Sequence, residues 1–259
     1  IGTATPNSQE LHTVKHNLIQ SQSIHDEYNA STYEIDALKI LENIFSKKDI
    51  AVMTGGSMLY IDVVCHGIDD LPTIDKEIRS EVIHKFEKEG IETLRLELKK
   101  IDPEYYLICD LKNHKRIMHA LEIFYMTGKK YSSYLNNTKK KRDFTILKIG
   151  LNTDRKIVHE RINKRVDEMI EKGLIEEARK FYPYRNLNSL NTVGYKELFD
   201  YFDGKISIEE AIELIKRNTR RYARRQLTWF NKDASITWFD ITCANEIVPF
   251  IERKLKLNN

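Results

Sequence analysis

The sequence predicts an α/β fold with a parallel sheet, a helical insertion and a helix-rich C-terminal part. A strand, a glycine turn and a helix follow one another within residues 50–64, in the order typical of α/β proteins. Strand signals are then missing from 73 to 128, where apolar residues recur at helical spacing, and a lysine-rich loop follows at 139–142. A β-rich stretch returns at 145–151. The helical segment is therefore predicted to be inserted between two strands of one sheet.

The N-terminal elements follow from the spacing of their apolar residues. Residues 29–45 carry apolar side chains at helical spacing, and the short apolar run 50–53 predicts a buried strand. The segment 58–64 predicts the helix after the turn. The insertion contains three helical stripes, and the residues that punctuate them are Gly90, Pro103 and Gly128.

The last third of the chain is predicted to be mostly helical. Residues 158–169 form an apolar stripe that Gly173 closes, and Ser207 begins a capping-box signature for a long helix that ends near Phe230. A final strand is predicted at 235–239. We predict two domains: an α/β core formed by 1–72 and 144–259, and a helical insertion formed by 73–143.

Composition limits the classes of protein. Lys plus Arg number 42 against 39 for Asp plus Glu, so a nucleic-acid surface has to come from local clustering. Three cysteines lie far apart without a CxxC pair, which argues against a disulfide framework and a zinc site, and the cytoplasm is the expected compartment. No apolar run approaches the ~20 residues of a membrane helix, so no membrane contact is expected. Because the chain opens on a loop-like stretch, an N-terminal part is expected to be missing.

The turn Thr54-Gly55-Gly56-Ser57 is a candidate binding element. Glycines permit close backbone approach, and the amides that begin the following helix favour an anion or a polar base edge. The Ser57 hydroxyl can donate or accept a hydrogen bond. The alternative is an ordinary strand-to-helix turn with Ser57 as the helix cap.

The long C-terminal helix carries a ridge of positive charge in its second half. No acidic residue follows Glu213 within it. The helix dipole favours cations at this end, but a field that fades within one turn does not explain such a density. We therefore predict contact with a polyanion, and the alternative is a solvated face. The cations are Lys216, Arg217, Arg220, Arg221, Arg224 and Arg225.

Arg161 and Arg165 are four residues apart and share one face of their helix. Two guanidinium groups so placed can grip a diphosphate with paired hydrogen bonds. The alternative is that they pair with acidic neighbours on the helix surface. These neighbours are Glu160, Asp167 and Glu168.

The remaining basic and histidine residues are less informative. Residues 114–116, followed by His119 one turn later, form either an RNA-backbone patch or the solvated side of an inserted helix. His12, His16 and His25 fit no metal-binding spacing. No hydrolase motif of the GxSxG, HExxH or Cys/His kind is present.

Along nearly its whole length the sequence resembles the tRNA dimethylallyltransferase (tRNA isopentenyltransferase) family. The matching stretches, in order, are 1–4, 54–60, Arg116 with 120–123, 161–166, 193–195 and 218–230. The resemblance implies a P-loop NTPase-like core and a helical insertion that grips the tRNA anticodon stem-loop. It also implies transfer of a dimethylallyl group from dimethylallyl diphosphate to N6 of adenine 37.

The resemblance also implies roles for individual residues. Arg165 matches the arginine that contacts the diphosphate, with Arg161 in support, and Ser57 stands where threonine is usual against the target base. His119 stands where an arginine is frequent. The basic helix supplies phosphate affinity through Arg217, Arg220, Arg221, Arg224 and Arg225. Further tRNA contacts are implied for Arg79, Lys115, Arg116, Ile117, Met118, His119, Asn191, Thr192, Val193, Gly194, Tyr195 and Lys196.

The sequence departs from the family pattern at its beginning. The family's phosphate loop, with its lysine and its Mg²⁺-binding hydroxyl, precedes the segment that matches 1–4, as does the aspartate proposed as general base. Neither is in this sequence, so we expect Mg²⁺ from the family without its P-loop ligand, and we expect the 259 residues alone to be inactive. We expect a monomer. The alternatives are a non-catalytic RNA stem-loop-binding module and a small-molecule kinase.

Overall fold

Two parallel strands form the sheet in the part of the chain that the structure covers. The structure is a computed structural model, and it describes residues 1–3, 5–136 and 139–257. In the register of the two strands, Lys148 lies opposite Ile236 and Gly150 lies opposite Trp238. A β-carbon at Gly150 would lie 2.5 Å from the indole ring, so the glycine lets Trp238 lie flat against the neighbouring strand.

The helices and strands occur in an order that confirms the predicted α/β class. In chain order they are α1 (Ser8–Thr13), α2 (Ala30–Phe45), α3 (Met58–His66), α4 (Lys76–Ile101), α5 (Pro103–Ile108), α6 (His114–Thr127), β1 (Lys148–Asn152), α7 (Arg155–Glu171), α8 (Leu174–Phe181), α9 (Tyr195–Phe202), α10 (Ile208–Phe230), β2 (Ile236–Asp240) and α11 (Ile247–Leu257). Among the described residues, no helix is both long and apolar enough to span a bilayer.

Local sequence signals set the ends of these helices. The side chains of Asn29, Asp154 and Ser207 accept hydrogen bonds from backbone amides in the first turns of α2, α7 and α10, which satisfies donors that a helix start leaves free. Gly128 ends α6 in the left-handed conformation with φ 68°. Gly90 interrupts α4 with φ 77°, which is the break that the sequence predicts there.

The chain divides into two compact units, 1–65 with 142–259 and 66–141. In the first unit, one core cluster joins α7, α8, α9 and α10. Its fully buried members include Leu174, Leu198 and Ala211. The predicted domain boundaries at 73 and 143 stay a prediction.

The second unit has a helical core of its own. Val82, Leu94 and Leu98 of α4 pack with Ile117 and Leu121 of α6, and all five are fully buried. Burying side chains of this size contributes roughly 1.5–3 kcal/mol each. The apolar stripes predicted for the insertion therefore form its interior.

One predicted element is wrong. Residues 50–53 form no strand, and Val52 is 87% exposed. A strand requires a partner for its backbone N–H and C=O groups, and β1 and β2 pair only with each other among the described residues. The prediction of 145–151 as a strand is shifted, since β1 begins at Lys148.

Candidate functional site

A cavity of about 1520 Å³ lies in the first unit. It exceeds the ~300–1,000 Å³ of ordinary small-molecule pockets. Its walls come from the glycine turn, both strands, α7 and α10, and they include apolar side chains such as Ile162, Leu227 and Trp238. The cavity therefore has room for more than one small substrate group.

Arg161 and Arg165 of α7 both line this cavity. Their acidic neighbours contact other cations: Asp167 lies 2.7 Å from Lys216 Nζ, and Glu168 lies 3.9 Å from Lys164 Nζ. Within the described residues, no carboxylate lies within 4.0 Å of either guanidinium group. The structure therefore does not show the alternative of surface ion pairing, and two unpaired cations face a cavity that can hold an anion.

The glycine turn lines the same cavity through Thr54, Gly55 and Gly56. The Gly56 carbonyl accepts a hydrogen bond of 2.7 Å from Gln226 Nε2 of α10. Ser57 is exposed, and across the described chain its hydroxyl takes part in no hydrogen bond. Its side chain therefore does not cap α3, although its carbonyl accepts from the Ile61 amide at 3.0 Å, and its hydroxyl is accessible to a ligand.

The cations of α10 separate into two groups. Lys216 contacts Asp167, and Arg220 Nη1 donates to Asn163 Oδ1 at 2.5 Å, so both are held against α7. The other four are exposed, lie within about a third of the helix circumference, and have no carboxylate within ion-pair distance in the part of the chain that is described. These four, hereafter the arginine face, are Arg217, Arg221, Arg224 and Arg225.

The predicted contact segment 191–196 is partly buried. Asn191, Thr192 and Lys196 are exposed, and Val193 is half-buried. Tyr195 is buried, and its hydroxyl donates to Glu177 Oε1 at 2.7 Å. Burial, reinforced by this carboxylate, raises the pKa of Tyr195 above its ordinary range.

Gly194 begins α9 with φ 104°, a conformation that favours glycine. Its amide donates to Glu197 Oε2 at 2.8 Å, and Glu197 Oε1 accepts from Asn218 Nδ2 of α10 at 2.7 Å. The buried carboxylate of Glu197 therefore ties this segment to α10.

The residues 115–119, predicted to contact tRNA, fall into two groups. Lys115, Arg116 and His119 line a shallow depression of about 490 Å³ on the second unit. Ile117 and Met118 are buried in the core of that unit, so their side chains are not exposed to a ligand. The helical period explains this, because five consecutive residues of a helix cannot share one face.

Arg79 lies near this depression within the second unit. Its Nε is 3.7 Å from Glu122 Oε1, and His119 Nδ1 is 3.3 Å from Glu122 Oε2. The nearly buried carboxylate of Glu122 therefore sits between two of the predicted tRNA-contacting residues.

The residues present do not fit a metal ion. No group of three or more His, Cys, Asp or Glu side chains in the described chain is placed to hold one. Two of the carboxylates that line the cavity are already engaged: Asp233 accepts from Lys148 at 2.6 Å, and Asp62 accepts from Trp229 Nε1 at 2.8 Å. No chemical step is therefore assigned to Mg²⁺.

Two structurally important residues were not identified from the sequence. Gln226 is an uncharged side chain among arginines, and Glu197 follows Gly194 by three residues. The Glu197 spacing is the one signal available in advance, because a glutamate at the third helical position often binds the amide that precedes the helix.

Comparison with known proteins gives a consistent result. A family model described as IPP transferase matches residues 1–233. The chain is 50% identical over 256 residues to tRNA dimethylallyltransferase 1 of Bacteroides fragilis, covering 99% of this chain and 85% of that protein. The crystal structure of the full-length tRNA isopentenylpyrophosphate transferase of Bacillus halodurans is similar with a TM-score of 0.66 and 34% identity, covering 99% and 85% of the two chains. A eukaryotic dimethylallyltransferase crystallised acting on tRNA has a TM-score of 0.80 at 23% identity, covering 99% and 69%, which supports the fold.

Proposed function

The chain belongs to the IPP transferase family of tRNA dimethylallyltransferases, and we propose that it transfers a dimethylallyl group from dimethylallyl diphosphate to N6 of adenine 37 in tRNA. The main support for this proposal is that two guanidinium groups without an ion-pair partner, those of Arg161 and Arg165, lie at the wall of the large cavity. A diphosphate leaving group matches them in charge and geometry.

The chemistry requires stabilisation of a departing anion. The allylic C–O bond breaks with its electron pair going to the diphosphate, a new C–N6 bond forms, and N6 gives up a proton. Negative charge therefore grows on the diphosphate in the transition state, where fixed positive groups lower the barrier most. Arg165 is assigned this contact, with Arg161 in support, and apolar walls such as Leu227 suit the dimethylallyl group.

The adenine is proposed to enter the same cavity beside the glycine turn. It must leave the stack of the RNA loop, at a cost of a few kcal/mol that is smaller in a single strand than in a duplex. The exposed Ser57 hydroxyl is assigned to the base. The arginine face is assigned to the phosphates of the stem-loop.

The second unit is proposed to bind the anticodon stem-loop as well. Lys115, Arg116 and His119 line its shallow depression, and Arg79 carries a further exposed guanidinium group. The positive charge of Lys115, Arg116 and Arg79 suits an RNA backbone. In the first unit, Asn191, Thr192 and Lys196 are exposed and available for the same RNA.

The test is transfer of labelled dimethylallyl from its diphosphate to an anticodon stem-loop that carries adenine 37. With Arg165→Ala, kcat is expected to fall about 100- to 1,000-fold, the range seen when one transition-state donor is lost, while stem-loop affinity stays unchanged. Lys156→Ala, which removes an exposed cation of the same helix that does not line the cavity, is the matched control and should leave kcat within twofold. Salt-sensitive stem-loop binding without any transfer would favour the RNA-binding module.

The proposed function comes with further predictions about activity, metal requirement, oligomeric state and location. The 259 residues contain no GxxxxGK[S/T] phosphate loop, so the assay is run on these residues alone and on a form that carries a phosphate-loop segment of the family ahead of residue 1. We propose that only the form with the phosphate loop transfers the group. A Mg²⁺ requirement is tested by chelation, the monomeric state by sedimentation, and the cytoplasmic location by cell fractionation.

A further inference from the structure

The glycine turn is held by one side chain of α10. Within the described residues, the hydrogen bond from Gln226 Nε2 to the Gly56 carbonyl, 2.7 Å long, is the single hydrogen bond that joins segment 50–56 to other residues. Residues 50–53 pair with no strand, so no sheet hydrogen bonds hold the turn. Its position therefore depends strongly on the bond from Gln226.

The fit between Gln226 and the turn is close. A β-carbon at Gly56 would lie 2.1 Å from Gln226 Nε2, so the amide occupies the space that any other residue would fill. One turn along α10, Trp229 Nε1 donates to Asp62 Oδ2 of α3 at 2.8 Å. The helix that follows the glycine turn is thus fixed to α10 by a second bond.

We infer that Gln226 is a positioning residue for the reaction, which binds the Gly56 carbonyl and so holds Gly56 at the cavity wall and fixes the position of the adjoining Ser57. The inference rests on the proposed function, in which Ser57 contacts the target adenine. Gln226 itself also lines the cavity, but its donor group is directed to the backbone of the turn.

Residues 224–226 of α10 are therefore given two different roles. Arg224 and Arg225 point to solvent and are assigned to RNA phosphates, while the next residue, Gln226, fixes the turn that receives the base. Loss of the Gln226 bond should therefore affect the chemical step and leave phosphate binding intact. A general binding role would affect both.

The kinetic test uses Gln226→Met, which keeps side-chain length and removes the donor. At saturating substrates we expect kcat to fall about 10- to 100-fold, as for misplacement of a reacting group by about 1 Å, with stem-loop Kd within twofold of wild type. Gln226→Lys restores a donor of similar reach and should recover most of kcat. Thr228→Val, an exposed change on the same helical turn, should leave both quantities unchanged.

A second measurement does not depend on activity. The ¹⁵N order parameters of the Gly55 and Gly56 amides should fall from about 0.85 to below about 0.6 in Gln226→Met, and those of Gln226→Lys should stay near wild type. Unchanged order parameters, or kcat and Kd that change in parallel, would overturn the inference. If the wild-type form that carries the phosphate loop binds no stem-loop and transfers nothing, the proposed function fails, whereas the order parameters still decide whether Gln226 holds the turn.

Discussion

Replacing Arg224 by Gln removes one of the four cations of the arginine face, and the structure predicts the cost in RNA affinity. Each phosphate neutralised contributes about 0.7–0.9 to the fall of log K with log salt. The four exposed arginines therefore contribute a slope of about −2.8 to −3.6. Between 50 and 200 mM salt, this corresponds to a loss of about 50- to 150-fold in affinity.

With Arg224→Gln, three cations of the face remain. The slope should become shallower by about 0.7–0.9, and the loss of affinity from the face should shrink to about 20- to 40-fold over the same salt range. Other contacts add to the absolute slope, so the difference between wild type and variant carries the test. The assay is fluorescence anisotropy of a labelled stem-loop, titrated with protein at several salt concentrations.

Arg220→Gln is the matched control on the same helix. Arg220 is half-buried and donates to Asn163 Oδ1 at 2.5 Å, so it is not available to a phosphate and its loss should leave the slope unchanged. Equal slopes for wild type and Arg224→Gln, or an equal decrease in both variants, would refute the assignment of the arginine face.

Two further predictions concern stability. Glu34→Ala should destabilise the protein by about 3–5 kcal/mol in urea unfolding, because it removes the carboxylate at 2.6 Å from Arg142, whose side chain is only 9% exposed. Asp200→Ala, at an exposed pair, should cost at most about 1 kcal/mol, and equal losses would contradict this view. The Lys148 hydrogen bond lowers the pKa of Asp233 below its ordinary value, so its contribution is present above about pH 4 and is lost as the pH falls through the lowered value. Lys148→Met should therefore destabilise at neutral pH and flatten the decline below pH 4 in thermal melts, and a decline as steep as that of wild type would exclude this pair as its source.

The family prediction from the sequence is confirmed, and so are the long predicted helices, because their signals are local. An amphipathic stripe and a capping residue lie within one segment, so α2 and α10 begin within a residue or two of the predicted positions. The run 50–53 is different. Its apolar character predicts burial, but a strand exists only where a second strand supplies hydrogen-bond partners, and sequence spacing holds no information about that partner.

In the candidate site, too, local features could be predicted from the sequence and long-range contacts could not. Spacing alone puts Arg161 and Arg165 on one face, and both do line the cavity. Whether they pair with Asp167 could not be predicted, because that carboxylate is engaged by Lys216 of α10, 49 residues further along the chain. The burial of Ile117 and Met118 could have been predicted from the helical period, had it been given more weight than the family block.

The contacts between α7 and α10 explain why the cations of α10 differ in role. Asn163 and Asp167 are four residues apart on α7 and bind Arg220 and Lys216. Arg161 and Arg165 lie about 120–160° around the helix from these two positions, so contact of Asn163 and Asp167 with α10 turns both arginines away from that interface. Lys216 and Arg220 thus help to set the rotation of α7, and the arginine face is left exposed to solvent. Loss of either contact should alter the proposed diphosphate site through the orientation of α7, even though neither Lys216 nor Arg220 lines the cavity.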